Sequence, residues 1–164
     1  MADTPYYPPP SFAFSVTLVG AHPQQGTGAA DAAFQEVSGL DPHVSTEEVA
    51  EGGVNAYVHQ LPGVTKHSNL VLKRGYVTGE SALAQWAEQT VGSMLSAPIA
   101  PQVLNVSLLG PDSQPVVTWT FQNAWPVKWE ITGFNATRND VLTETLEFAY
   151  SSVARITQRA PAPS

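Results

Sequence analysis

The residues best able to do chemistry are few and scattered. The four histidines are His22, His43, His59 and His67. None is paired at the i, i+4 spacing that puts two imidazoles on one helix face. His59 and His67 flank a turn signal, so a metal site there is one reading and solvated or interface histidines the better one. Glu47, Glu48 and Glu51 cluster as carboxylates do when they hold a cation or work as an acid pair. In a strand and turn, however, they point to different faces. Trp119, Trp125 and Trp129 are close in sequence; a row of exposed indoles would stack on sugar rings, whereas core packing is their simpler role. The chain has no Cys, which excludes disulfides, thiolate metal sites and Cys nucleophiles. No nucleophile elbow, S-x-x-K, phosphate loop or dinucleotide fingerprint is present, and Gly26-Thr27-Gly28 alone reads as a loop. Asn105-Val106-Ser107 and Asn135-Ala136-Thr137 match the glycosylation sequon but carry no weight without a secretion signal. The motifs give no positive case for catalysis and no reason to expect a metal or cofactor.

The elements that would hold these residues follow from composition and patterning. A length of 164 residues fits one domain. Hydrophobic residues at 43% are enough for a core. Charged residues reach only 13%, against roughly 25% in ordinary soluble domains, so much of the surface is expected to face other protein. The net charge of -7 argues against stable nucleic-acid binding, which needs clustered Lys and Arg. No apolar run approaches the length of a membrane helix. The start, Met1-Ala2-Asp3-Thr4-Pro5, lacks a basic region followed by an apolar one, so no secretory signal is expected.

Residues 1–11 carry Tyr6-Tyr7-Pro8-Pro9-Pro10, which favours an extended arm. Strands are expected at 12–19 and 33–38, where large apolar residues alternate with small or polar ones. Residues 20–32, rich in Gly, Gln and Ala, read as a loop. Thr46 to Glu51 and Val54 to Gln60 flank Gly52-Gly53, which reads as a hairpin with a two-residue turn. Leu61-Pro62-Gly63 then breaks the ladder, and Asn69 to Lys73 forms a short strand ended by Arg74-Gly75. A helix is expected over 80–96, with Leu83, Trp86, Ala87, Val91, Met94 and Leu95 near one face. Further strands are expected at 103–109, 116–121 and 127–131. Residues 143–156 favour strand, and 157–164 form a flexible tail. Phe14, Phe34, Trp86, Trp119, Trp125, Pro126, Leu146 and Phe148 are the expected core and anchor residues. The sum is a mainly β, α+β chain: an antiparallel β-sandwich or barrel with one flanking helix.

Six segments in register carry a resemblance. They are Phe34-Gln35-Glu36-Val37-Ser38-Gly39-Leu40, Glu51-Gly52-Gly53-Val54-Asn55 leading to Leu61-Pro62-Gly63, Asn69 to Gly75, Trp86, Asn123-Ala124-Trp125-Pro126-Val127-Lys128-Trp129, and Asn135 through Asn139 to Glu144–Tyr150. Over roughly residues 12–156 this order resembles the tail tube proteins of contractile-tailed phages. It is most similar to the inner-tube proteins of extracellular contractile injection systems. Val64 stands where a basic residue is common in that family, and residues 21–32 also depart from its pattern.

The resemblance implies a barrel that assembles into a homo-hexameric ring. Rings stack into a hollow tube inside a contractile sheath, on a spike or hub and a baseplate, and pass a protein or DNA cargo. It implies assembly in the bacterial cytoplasm into a tail-like particle, no enzymatic activity and no membrane insertion. The Tyr-Tyr-Pro-Pro start also resembles the variant ring that joins tube to spike. Within the protruding 41–68 hairpin, the resemblance points to Glu47, Glu48, Glu51, Gly52, Gly53, Asn55, Leu61, Pro62, Gly63 and Lys66 as the ring-stacking surface. Lys73 and Arg74 on a neighbour are the expected partners of the glutamates. The readings from other classes are a monomeric carbohydrate- or ligand-binding β-sandwich that uses the tryptophans, and a hydrolase with an unrecognised site.

Overall fold

The structure, a computed structural model, describes residues 13–19, 31–49, 59–76, 81–92, 96, 98–133 and 142–157. Among them are nine strands and one helix: β1 (Ala13–Val19), β2 (Asp31–Ser38), β3 (His43–Val49), β4 (His59–Lys66), β5 (Leu70–Gly75), α1 (Ala82–Val91), β6 (Gln102–Leu109), β7 (Pro115–Thr132), β8 (Thr143–Ala149) and β9 (Ser152–Thr157).

Six strands close on themselves. The order is β6-β1-β2-β5-β8-β7, and β7 pairs back to β6, so no edge is left in that ring. Alternation decides what points inward. In β1, Val16 is buried and Phe14 and Leu18 pack against the core; across the ladder they face Val106, Leu108 and Leu104 of β6. Leu70 and Leu72 of β5 meet Phe148 and Leu146 of β8 in the same way. Phe34 and Phe121 fill the remaining volume. Trp119, Trp125 and Trp129 are half-buried and pack against this core, so they do not form the exposed row that sugar binding requires.

The helix begins where Ser81, as N-cap, accepts a hydrogen bond from the Ala84 N–H, and it ends at Gly92. It packs against β7. Leu83, Trp86 and Ala87 are its buried stripe, with Trp86 stacked on Phe148 at 5.6 Å. The helix is shorter than the expected 80–96. Val91 is exposed at its end, and Met94 and Leu95 lie outside the described residues.

Residues 115–132 form one strand rather than two. The bend expected near Trp125-Pro126 is absorbed inside β7, where Asn123 takes φ 51° and the β6 ladder shifts register between Leu104 and Gln102. Asn tolerates this left-handed conformation better than most residues. Pro126, fully buried, sits at a second register shift, against β8. One edge of β7 serves β6; the other serves β8 and then β9. The register runs without change from Trp125↔Ala149 to Gln122↔Ser152. Strands β8 and β9 are thus one interrupted ladder along β7, jointed at Tyr150-Ser151. The joint is held by the Ser151 N–H donating to Gln122 O and by Asn123 Nδ2 donating to Ser151 Oγ.

Candidate assembly surface

Strands β3 and β4 leave the barrel and pair only with each other. Their register puts Val49 opposite His59, Glu47 opposite Leu61 and Thr46 opposite Pro62. That register does not fit the expected turn at Gly52-Gly53. A two-residue turn at Gly52-Gly53 would require Val49 to pair three residues earlier than it does. Glu51, Gly52, Gly53 and Asn55 themselves lie outside the described residues. Leu61-Pro62-Gly63 does not break the ladder as expected; it lies within β4. A two-stranded ribbon has an outer edge on each strand, and Pro62, which lacks an N–H, is tolerated where that group would face outward. The register slips between Val44 and Thr46. There Ser45 Oγ donates to Val64 O at 2.9 Å, and a Cβ on Gly63 would come within 2.7 Å of Ser45 Oγ.

Nearly every hairpin position faces solvent. Alternation places Val49, Glu47, His59 and Leu61 on one face and Glu48, Thr46, Gln60 and Pro62 on the other. Val44 and Val49 are exposed, Leu61 is 52% exposed and Val64 72%. An isolated two-stranded hairpin is marginal in water, and these four apolar side chains add exposed surface to it. His59 and His67 stand at opposite ends of β4, about 26 Å of extended chain apart, so they do not share an ion. Among the described residues no group of three or more His, Asp or Glu is placed to hold a metal.

The two legs of the hairpin are fastened to each other and to the barrel. Asp41 accepts from the Ser68 hydroxyl at 2.9 Å and from its N–H at 3.3 Å. These bonds, the hydroxyl first, hold the Asp41 carboxyl below its ordinary value. Asn69 Nδ2 donates to Glu147 Oε1 on β8 at 2.7 Å. Tyr150 donates its hydroxyl to Gly39 O at 3.0 Å, and its ring stacks on His67 at 3.9 Å. Burial, followed by the Asp41 charge, raises the Tyr150 phenol above its ordinary value.

The two basic residues expected to meet the hairpin glutamates are placed differently from each other. Lys73 is half-exposed and pairs across the strands with Glu36 at 2.9 Å. Arg74 is 2% exposed. It donates through Nε to Glu144 Oε2 at 2.6 Å and through its second terminal nitrogen to Ser81 Oγ at 2.7 Å. Its guanidinium lies 4.7 Å over the Phe34 ring, and Trp129 Nε1 donates to the other Glu144 oxygen at 3.0 Å. Arg74 is therefore a strut inside the barrel and offers no cation to a neighbour. Sequence reasoning missed Glu144 and Tyr150. The signal for Glu144 was its parity with Leu146 and Phe148, which places it on the inward face.

A closed barrel with one flanking helix and a projecting, largely polar hairpin that carries four exposed apolar side chains makes up a tail-tube-like fold. The chain belongs to the T4-like virus tail tube protein gp19 family, whose model matches residues 10–154. It is similar to a chain in the sixfold-symmetrised baseplate of the anti-feeding prophage, at 26% identity and a TM-score of 0.71, covering 95% of this chain and 98% of that one. It is similar to a chain in the extended sheath–tube complex of an extracellular contractile injection system, PVC, at 25% identity and a TM-score of 0.72, covering 93% and 94%. Hcp1 from Flavobacterium johnsoniae shares the fold at 18% identity and a TM-score of 0.53, covering 88% of this chain and 95% of Hcp1. No curated protein sequence matches the chain. The protein is a structural subunit of the tail-tube type.

Proposed function

We propose that this chain forms homo-hexameric rings that stack into the inner tube of a contractile injection particle. The rings sit on a baseplate and spike inside a sheath and serve as a conduit for cargo. The observation that carries this reading is the hairpin: a solvent-exposed ribbon bearing Val44, Val49, Leu61 and Val64 that is marginal on its own and gains from being covered. A second copy supplies a cover in every ring, and one repeated heterologous contact closes rings or extends filaments. The similar chains in a sixfold-symmetrised baseplate and in a sheath–tube complex support both geometries. The chain's chemistry is spent on association rather than turnover, and the particle is assembled in the producing cell's cytoplasm.

The proposed domain division is an N-terminal segment at 1–11, the tube domain from 12 with its 41–68 hairpin, and a C-terminal segment that starts after Thr157 rather than at it as expected, because Thr157 is still paired with Val117 in β9. Glu47, Glu48 and Lys66, all exposed on the hairpin, supply charged contacts to the next ring, with Lys73 as one partner. Charge reversal Glu48→Lys tests the last point, and Lys73→Glu in the same chain is expected to restore assembly. Negative-stain imaging of the purified protein tests the whole reading. Rings or hollow tubes are expected; a monomer that stays single, alone or with sheath and baseplate proteins, refutes it. The ring that joins tube to spike is a second reading, favoured by the equally close match to a baseplate chain. Single rings that stack only on the spike protein are its expected result.

A further inference from the structure

We infer that Tyr150 is a positioning residue that, gripping both legs of the hairpin at once, fixes the direction in which the hairpin leaves the barrel. This rests on the hairpin's role in stacking and goes beyond it, because it names what aims the arm. The strands β3 and β4 share no ladder with the barrel among the described residues, so their orientation is set at the roots. Two segments form the roots: residues 39–42 entering β3 and residues 67–69 leaving β4.

Among the described residues, Tyr150 reaches both. Its hydroxyl donates to Gly39 O on the entering leg, and its ring face covers His67 on the leaving leg, nearly parallel at 12°. Its other side is anchored in the core, where Phe121 meets it edge-on at 4.8 Å. Only 6% of Tyr150 is exposed, so the ring cannot swing. It sits at the β8–β9 joint, where Ser151 is bonded to Gln122 on β7, so a rigid point of the barrel carries the grip. The remaining contacts complete a closed loop of restraints. Asp41 ties Ser68, and therefore one leg to the other. Asn69 ties the leaving leg to Glu147. Gly39, at φ +87°, passes so close to Asn69 O that a Cβ would lie 1.9 Å from it. A ribbon held by one leg swivels; one held by both at a stacked ring keeps a single heading. That heading decides whether six hairpins arrive together on the next ring.

The test exploits the absence of Cys in the chain. Spin labels at Glu48→Cys on the hairpin and Gln85→Cys on the exposed face of α1 report the hairpin heading as a distance distribution in unassembled protein. His67→Ala is expected to widen that distribution at least twofold, with the thermal midpoint of the barrel unchanged, and to cut tube yield about tenfold. Tyr150→Phe, which keeps the stack and loses only the Gly39 bond, is expected to fall between. His67→Phe, which restores a flat ring, is expected to return the narrow distribution and the tubes. An unchanged distribution in His67→Ala, or no rescue by His67→Phe, overturns the proposal. A widened distribution with normal tube yield sustains the grip and instead overturns the hairpin's role in stacking.

Discussion

Arg74 and Glu144 show how much one buried pair can constrain. Both are almost fully enclosed, and their bonds join β5, β8, β7 and the start of α1. Removing one partner of such a pair leaves an uncompensated buried charge, which costs about 3–5 kcal/mol. Glu144→Gln is therefore expected to lower unfolding stability by about that amount in urea titration, and Arg74→Met with Glu144→Leu to recover part of it. A Gly39→Ala replacement puts a side chain in the left-handed region and against Asn69 O; a loss of about 1–3 kcal/mol is expected from the backbone conformation alone. Asp41 makes the hairpin root sensitive to acid. Its folded-state carboxyl is depressed by Ser68, so its contribution is present above the ordinary Asp value of about 3.9 and lost as pH falls below it. Amide exchange across residues 43–66 measured from pH 6 to pH 3, after correction for intrinsic rates, is expected to accelerate at the acid end and to lose that acceleration in Asp41→Asn. The inward direction of Arg74 was legible in the alternation Leu70, Leu72, Arg74, but a Lys-Arg pair before Gly75 reads equally as a solvated strand end. Only the carboxylate 70 residues later in the chain distinguishes the two.

At the scale of elements, strands whose neighbours are apolar on alternate positions were readable, and those governed by partners were not. β1 and β6 follow from Phe14, Val16, Leu18, Leu104 and Val106, because burial on one face leaves a period of two. The hairpin was found, but its register was not. Gly52-Gly53 is the strongest local turn signal, yet local chemistry does not fix register where neither face is buried in the chain itself. β7 read as two strands because Asn123 and Trp125-Pro126 resemble breaks; its partners on both edges hold it continuous. The hairpin's apolar positions carry the assembly prediction. Leu61→Asp with Val64→Asp changes exposed positions only, so stability is expected to move by no more than about 0.5 kcal/mol. Ring stacking is expected to be lost, read as a sedimentation shift from long tubes to single rings.

For the whole molecule, the acid excess opposes the association proposed above. Each copy brings a net charge of -7, and copies gathered in the proposed ring would repel over the Debye length, about 30 Å at 0.01 M salt and 8 Å at 0.15 M. Tube formation followed by light scattering is therefore expected to rise with ionic strength over that range. The mainly β fold with one helix was legible in the period-two alternation of the apolar residues. The particular contacts were not, because they depend on surfaces that a single chain does not bury.

The length of β7 bears on how the hairpin is carried. At 18 residues it is roughly 60 Å long, and it is bonded along one side to β6 and along the other to β8 and β9. The contacts run from the hairpin root through Tyr150 and the Ser151–Gln122 bond into this ladder. β7 therefore joins the hairpin root to both sides of the barrel wall.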